Sequence, residues 1–129
     1  MPLVRIDVVR GRDTEQLRTL LDTIHDATVA AFGVPETDRY QILTQHEPGD
    51  IVALDTGLGF PRTDDIVLVQ FTSRQRPEDA KVDLYHRLAH GLHERCGVKA
   101  ADLIITVTEN GPADWSFGDG HAQFLTGAL

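Results

Sequence analysis

The chain punctuates itself twice in the same way. An apolar helical stretch stops at Phe32-Gly33-Val34, and a second stops at Cys96-Gly97-Val98, 64 residues later. Each stop follows a β-branched run and precedes another. Glycine at such a stop supplies the left-handed residue that ends a helix. The pattern therefore predicts one β-α-β unit written twice in tandem, over about residues 2–62 and 63–129. Two such units fold as a four-stranded mixed sheet with both helices on one face, an α+β arrangement. Its uncovered face then calls for a second copy of the chain.

The elements follow from local pattern. Residues 3–9 and 66–72 read as strands, the latter apolar enough to be central. Asp13 with Gln16 forms a capping box, after which Leu17, Leu20, Leu21 and Ile24 keep helical spacing. Residues 40–46 and 51–54 are strand-like around a Pro48-Gly49 turn, and 102–108 form the last strand. Pro77 suits the first turn of the second helix. Val82, Tyr85, Leu88, Ala89, Leu92 and Cys96 are expected to line one face of that helix.

Composition narrows the function. The 129 residues make one domain, and a net charge of −8 speaks against a nucleic-acid surface. No apolar run approaches membrane length, and no charged-then-apolar leader precedes the first strand. A single cysteine, Cys96, leaves no internal disulfide and fits the cytoplasm. An acidic chain that binds a small anion needs a local cluster of positive charge. Arg74 and Arg76 supply one at the end of the 66–72 strand. Residues two apart on an extended chain point the same way, and paired guanidinium forks match a carboxylate. The plain alternative is solvated charge at a strand end.

Pro2 opens the first strand. With Met1 removed, it carries a free secondary amine, which titrates near ~8 and can act as acid, base or nucleophile. With Met1 retained, it only starts a strand. If the two leading strands pair antiparallel, Pro2 and the arginines share one rim of the sheet. Asp38, just after the first helix, is a turn residue or a carboxylate that keeps the Pro2 ammonium charged. Trp115, Phe117 and Phe124 sit in a glycine-rich tail and must pack in the core, at an interface or along a pocket. His86, His90 and His93 share one side of the second helix without the pattern of a zinc site, and are read as a solvated edge.

Together these residues resemble the tautomerase superfamily, and within it the malonate semialdehyde decarboxylase family. The resemblance rests on the initiating Pro2 and on Ala31-Phe32-Gly33-Val34-Pro35, Asp38-Arg39-Tyr40-Gln41 and Asp55-Thr56-Gly57-Leu58-Gly59. It extends through Ser73-Arg74-Gln75-Arg76, Glu109-Asn110, Ala113-Asp114-Trp115-Ser116-Phe117-Gly118 and Phe124-Leu125. It implies catalysis by Pro2 with Asp38, Arg74 and Arg76, and a hydrophobic wall of Trp115, Phe117, Phe124 and Leu129. It further implies a cytoplasmic homotrimer without metal or organic cofactor, acting on a small 3-oxo acid and releasing carbon dioxide. Action as a tautomerase or hydratase on an unsaturated 2-oxo acid is the enzymatic alternative. A trimer that only binds a small acid is the non-catalytic one.

Overall fold

The computed structural model describes residues 2–129. Met1, on which the expectation for Pro2 turns, lies outside the described residues. The elements run β1 (Leu3–Val9), α1 (Thr14–Phe32), β2 (Tyr40–His46), β3 (Val67–Arg74), α2 (Glu78–Cys96) and β4 (Leu103–Asn110). A short helix, α3 (Gln123–Thr126), lies in the tail. The sheet order is β2-β1-β3-β4. β1 pairs parallel with β2 and antiparallel with β3, and β3 pairs parallel with β4. The predicted four-stranded mixed sheet is therefore present.

The doubled punctuation is real in three dimensions. Asp13 caps α1 by accepting from the Gln16 N–H at 2.8 Å, and Gln16 Oε1 accepts from the Asp13 N–H at 2.9 Å. Gly33 and Gly97 end the two long helices in the left-handed region, at φ 65° and 68°. The next residues, Val34 and Val98, both turn back into the core. Val67 opens β3 at the place that Leu3 holds in β1, again 64 residues on.

Alternation along the strands sends Val4, Ile6, Val8, Val67, Val69 and Phe71 to the helix side, where all are buried. Leu20 and Ile24 of α1 and Leu84, Leu88 and Leu92 of α2 meet them with no exposed surface. Each such side chain contributes about 1.5–3 kcal/mol by leaving water. The buried face of α2 is thus the Leu84-Leu88-Leu92 row, rotated from the one expected; Val82 is half exposed. Pro77 is the N-cap residue and α2 begins at Glu78. Leu3, Ile42, Leu68 and Ile104 alternate to the other sheet face, away from the core shared with α1 and α2.

One expected strand is absent. Residues 51–54 pair with no strand among the described residues, and Val52 and Leu54 are 83% and 79% exposed. A strand needs a partner's ladder, and β2 is already the edge here. The connection is instead held by Asp55, which accepts from the N–H groups of Gly57 and Gly59 at 3.0 Å each. Arg62 also donates to the Leu54 carbonyl at 3.1 Å.

Candidate active site

The strand directions gather four chain segments at one rim. Leu3 pairs with Tyr40 on one side and Thr72 on the other. Pro2 therefore stands one step beyond, on an interior strand, level with Arg39 and Ser73. It is buried. Asp38 leads into β2 beside it. Arg74 closes β3 opposite Asn110, the last residue of β4. Pro2, Asp38, Arg74 and Arg76 thus lie at the same end of the sheet, on three neighbouring segments.

The two arginines reach this rim from different faces. Arg74 is still in β3, and its guanidinium lies 3.9 Å from the centroid of the Phe124 ring in the tail. Its Nε is buried with no partner among the described residues. Arg76 lies past the strand end and folds toward the helices. Its guanidinium sits 4.9 Å from the Phe32 ring. Its Nε donates to Ser73 Oγ at 3.2 Å and its Nη1 to the Phe32 carbonyl at 3.3 Å. The expectation that the side chains leave in parallel is corrected here, because alternation lapses where the strand stops. They remain close: burial first, and the Arg74 charge second, lower the Arg76 pKa, against the pull of Asp38. A cavity of about 400 Å³ opens beside them, lined by Arg74, Gln75, Arg76, Asn110, Gly111 and Pro112.

Asp38 is set by a turn, its N–H donating to the Pro35 carbonyl at 3.0 Å. The adjoining Glu36 carbonyl accepts from His25 Nε2 of α1 at 2.8 Å. Asp38 Oδ2 is buried and has no partner among the described residues. Burial raises its carboxyl above the ordinary 3.8, while Arg76, His25 and Arg74 pull it down. Burial prevails because no described donor reaches the oxygen.

The tail aromatics pack on one another rather than in the main core. Trp115 and Phe117 stack at 5.3 Å, Phe117 stacks with Tyr40 at 5.8 Å, and Phe124 meets Phe117 edge-on at 5.4 Å. Such pairs contribute about 0.5–1.5 kcal/mol beyond their burial. The Trp115 indole donates to Asn110 Oδ1 at 2.6 Å, tying the tail to β4. Gln123 accepts from the Phe117 N–H and donates to the Gly118 carbonyl, each at 3.0 Å. Leu129 is 61% exposed, and its N–H donates to the Gln123 carbonyl at 3.3 Å. The sequence reading missed Ser73, Asn110 and Gln123 as organisers. Tyr40 entered it only as part of a motif. His86, His90 and His93 are all exposed on α2, away from this rim.

The arrangement offers a cationic pair for an anion, an under-solvated carboxylate beside Pro2, and an apolar wall. Comparison with known proteins matches it to two family models, each described as "Tautomerase enzyme", over residues 38–118 and 2–60. "Probable tautomerase YrdN" of Bacillus subtilis (strain 168) is 50% identical over 129 residues, 100% of both chains. A solved malonate semialdehyde decarboxylase superposes with a TM-score of 0.96 at 48% identity, over 98% of both chains. A second, FG41 malonate semialdehyde decarboxylase inhibited by 3-bromopropiolate, gives 0.95 at 42% identity, over 98% of this chain and 97% of that one.

Proposed function

This chain belongs to the tautomerase family, and on that premise we propose that it decarboxylates malonate semialdehyde (3-oxopropanoate) to acetaldehyde and carbon dioxide. Pro2 is the reacting amine once Met1 is removed. The observation that carries this reading is a pair of buried atoms without a partner among the described residues, Asp38 Oδ2 and Arg74 Nε. They belong to the segments on either side of β1, so Pro2 stands between an acceptor and a donor left open. Similarity to two solved decarboxylases at 48% and 42% identity supports the same reaction. The reading includes a homotrimer, covering the sheet face away from the core, and a cytoplasmic setting suited to a free Cys96.

In this mechanism the bond between C2 and the carboxylate breaks. Its electron pair moves toward the C3 carbonyl, carbon dioxide departs, and a proton returns to C2. Arg74 and Arg76 hold the carboxylate perpendicular to the carbonyl plane, a positioning effect. The rings of Trp115, Phe117 and Phe124, with Leu129, shield it from water. A grip equally tight on ground and transition states would add nothing to turnover. Pro2 accepts the electrons in one of two forms. As an ammonium kept charged by Asp38 it stabilises the enolate oxygen. As a free amine it adds to the aldehyde carbon and forms an iminium, the aldehyde oxygen leaving as water, and water hydrolyses the iminium at release. Borohydride reduction during turnover distinguishes them: a Pro2 adduct by mass spectrometry marks the iminium.

The test of the whole reading is purified protein with malonate semialdehyde, followed by NMR for acetaldehyde, together with its intact mass. A chain lighter by one methionine that releases acetaldehyde is the expected result. A chain that retains Met1, or makes no acetaldehyde, overturns it. The description of the 50%-identical relative as a probable tautomerase favours tautomerase action instead, which we read as acting on an unsaturated 2-oxo acid, with hydration of such an acid as its variant. Tautomerisation wants Pro2 neutral, so an NMR titration of the Pro2 nitrogen separates it from decarboxylation, whereas a hydratase would have Asp38 activate water. An acid-binding trimer with Met1 in place would show neither reaction.

A further inference from the structure

β4 ends in Glu109 and Asn110, and consecutive strand residues address opposite faces. Asn110 holds Trp115 on the tail side. Glu109 works on the helix side: its Oε2 accepts the Arg76 backbone N–H at 2.7 Å and lies 3.1 Å from Lys81 Nζ of α2. The β3–β4 ladder stops at the Arg74–Asn110 pair. Arg76 is two residues beyond it, where no strand partner fixes the main chain. Glu109 supplies the bond that the ladder no longer gives. The Arg76 N–H first, and Lys81 second, hold the Glu109 carboxyl below its ordinary value, the mark of an acceptor in use.

We propose that Glu109 is a positioning residue that sets the affinity of the arginine pair for a carboxylate, by pinning the Arg76 main chain to the end of β4. The inference rests on reading Arg74 and Arg76 as a carboxylate receptor, and not on which reaction follows. Its sign is diagnostic. A carboxylate acting only through its charge would repel an anionic ligand, so neutralising it would tighten binding. A carboxylate that holds the receptor in shape does the opposite.

The experiment measures malonate binding by calorimetry for wild type, Glu109→Ala, Glu109→Gln, Glu109→Asp and Lys81→Met, each first shown to be folded by circular dichroism. Glu109→Ala is expected to weaken malonate binding about tenfold, the loss of one charge-assisted hydrogen bond. Glu109→Asp, which keeps the charge and shortens the reach, weakens it similarly. Glu109→Gln keeps an acceptor oxygen and stays within about threefold of wild type, as does Lys81→Met. With malonate semialdehyde the change falls on KM more than kcat. Equal or tighter binding by Glu109→Ala overturns the proposal, as does wild-type affinity in Glu109→Asp. Wild type that fails to bind malonate removes the receptor and the proposal together. Wild type that binds malonate but releases no acetaldehyde sinks only the proposed reaction.

Discussion

Replacing Asp38 by asparagine keeps the shape and removes the charge. Oδ2 is buried without a partner among the described residues, and burial is the leading cause of a carboxyl raised above 3.8. A raised value means that the folded chain holds this proton more tightly than the unfolded chain. The stability from that proton is therefore complete below the ordinary aspartate value. It is lost as pH rises from 3.8 through the raised folded value, and stays lost at neutrality. An unpartnered buried polar group costs about 1–3 kcal/mol. The residue as a whole is only partly buried, and Arg76 and Arg74 lie near, so screening argues for the low end, about 1 kcal/mol. For a domain of 129 residues that is about 4 °C in Tm. In a chain that retains Met1, where no Pro2 ammonium faces the carboxylate, Asp38→Asn should thus melt about 4 °C above its parent at pH 7, while in the processed chain the same change lowers decarboxylation about 100-fold. The gap should narrow as pH is lowered toward 4. Thermal melts by circular dichroism from pH 4.5 to 8, at one protein concentration, read both. A variant that melts lower at pH 7, or a gap that ignores pH, refutes the claim that burial outweighs the arginines.

Pro2→Ala replaces the ring amine with a primary one of different basicity, and about a 100-fold drop in kcat is expected, with intact mass confirming that Met1 is gone. Full activity there would remove Pro2 from the mechanism. Phe124→Leu takes away the ring 3.9 Å from Arg74; losing about 1 kcal/mol of cation–π attraction should raise KM about fivefold by steady-state kinetics. Leu88→Ala opens a hole where the side chain is fully buried, and urea unfolding should show a loss of about 3 kcal/mol with the slope unchanged.

Much of the fold was legible because its signals are local. Gly33 and Gly97 end helices by their own conformational freedom, and Asp13 caps with a side chain three residues from its partner. The rim was legible for a related reason: antiparallel pairing of β1 and β3 brings the residue before one beside the end of the other. What failed needed tertiary information. Residues 51–54 have the composition of a strand but no neighbour to pair with. Arg76 obeys alternation only as far as β3 continues, and then Ser73 and Phe32 redirect it. The α2 face was misread because Val82 and Leu84 are both apolar, and only packing against α1 decides which turns inward. Gln123 gave no sign, and Asn110 entered only as part of a motif, since each acts through hydrogen bonds whose partners are chosen by the tail's path.

The 64-residue repeat has a further consequence at the opposite end of the sheet. There Ile66 precedes β3 as Pro2 precedes β1, and Asp102 precedes β4 much as Asp38 leads into β2. The two corners are related by the repeat but used differently. The Ile66 nitrogen is a peptide N–H that donates to the Thr63 carbonyl at 3.3 Å. Asp102 is fully buried and saturated, taking the N–H and the hydroxyl of Thr63 at 2.6 Å each. A duplicated fold thus carries two equivalent corners, of which only the first would offer a free amine, and only on removal of Met1. The second serves as a clasp, while the first leaves its aspartate oxygen without a partner among the described residues.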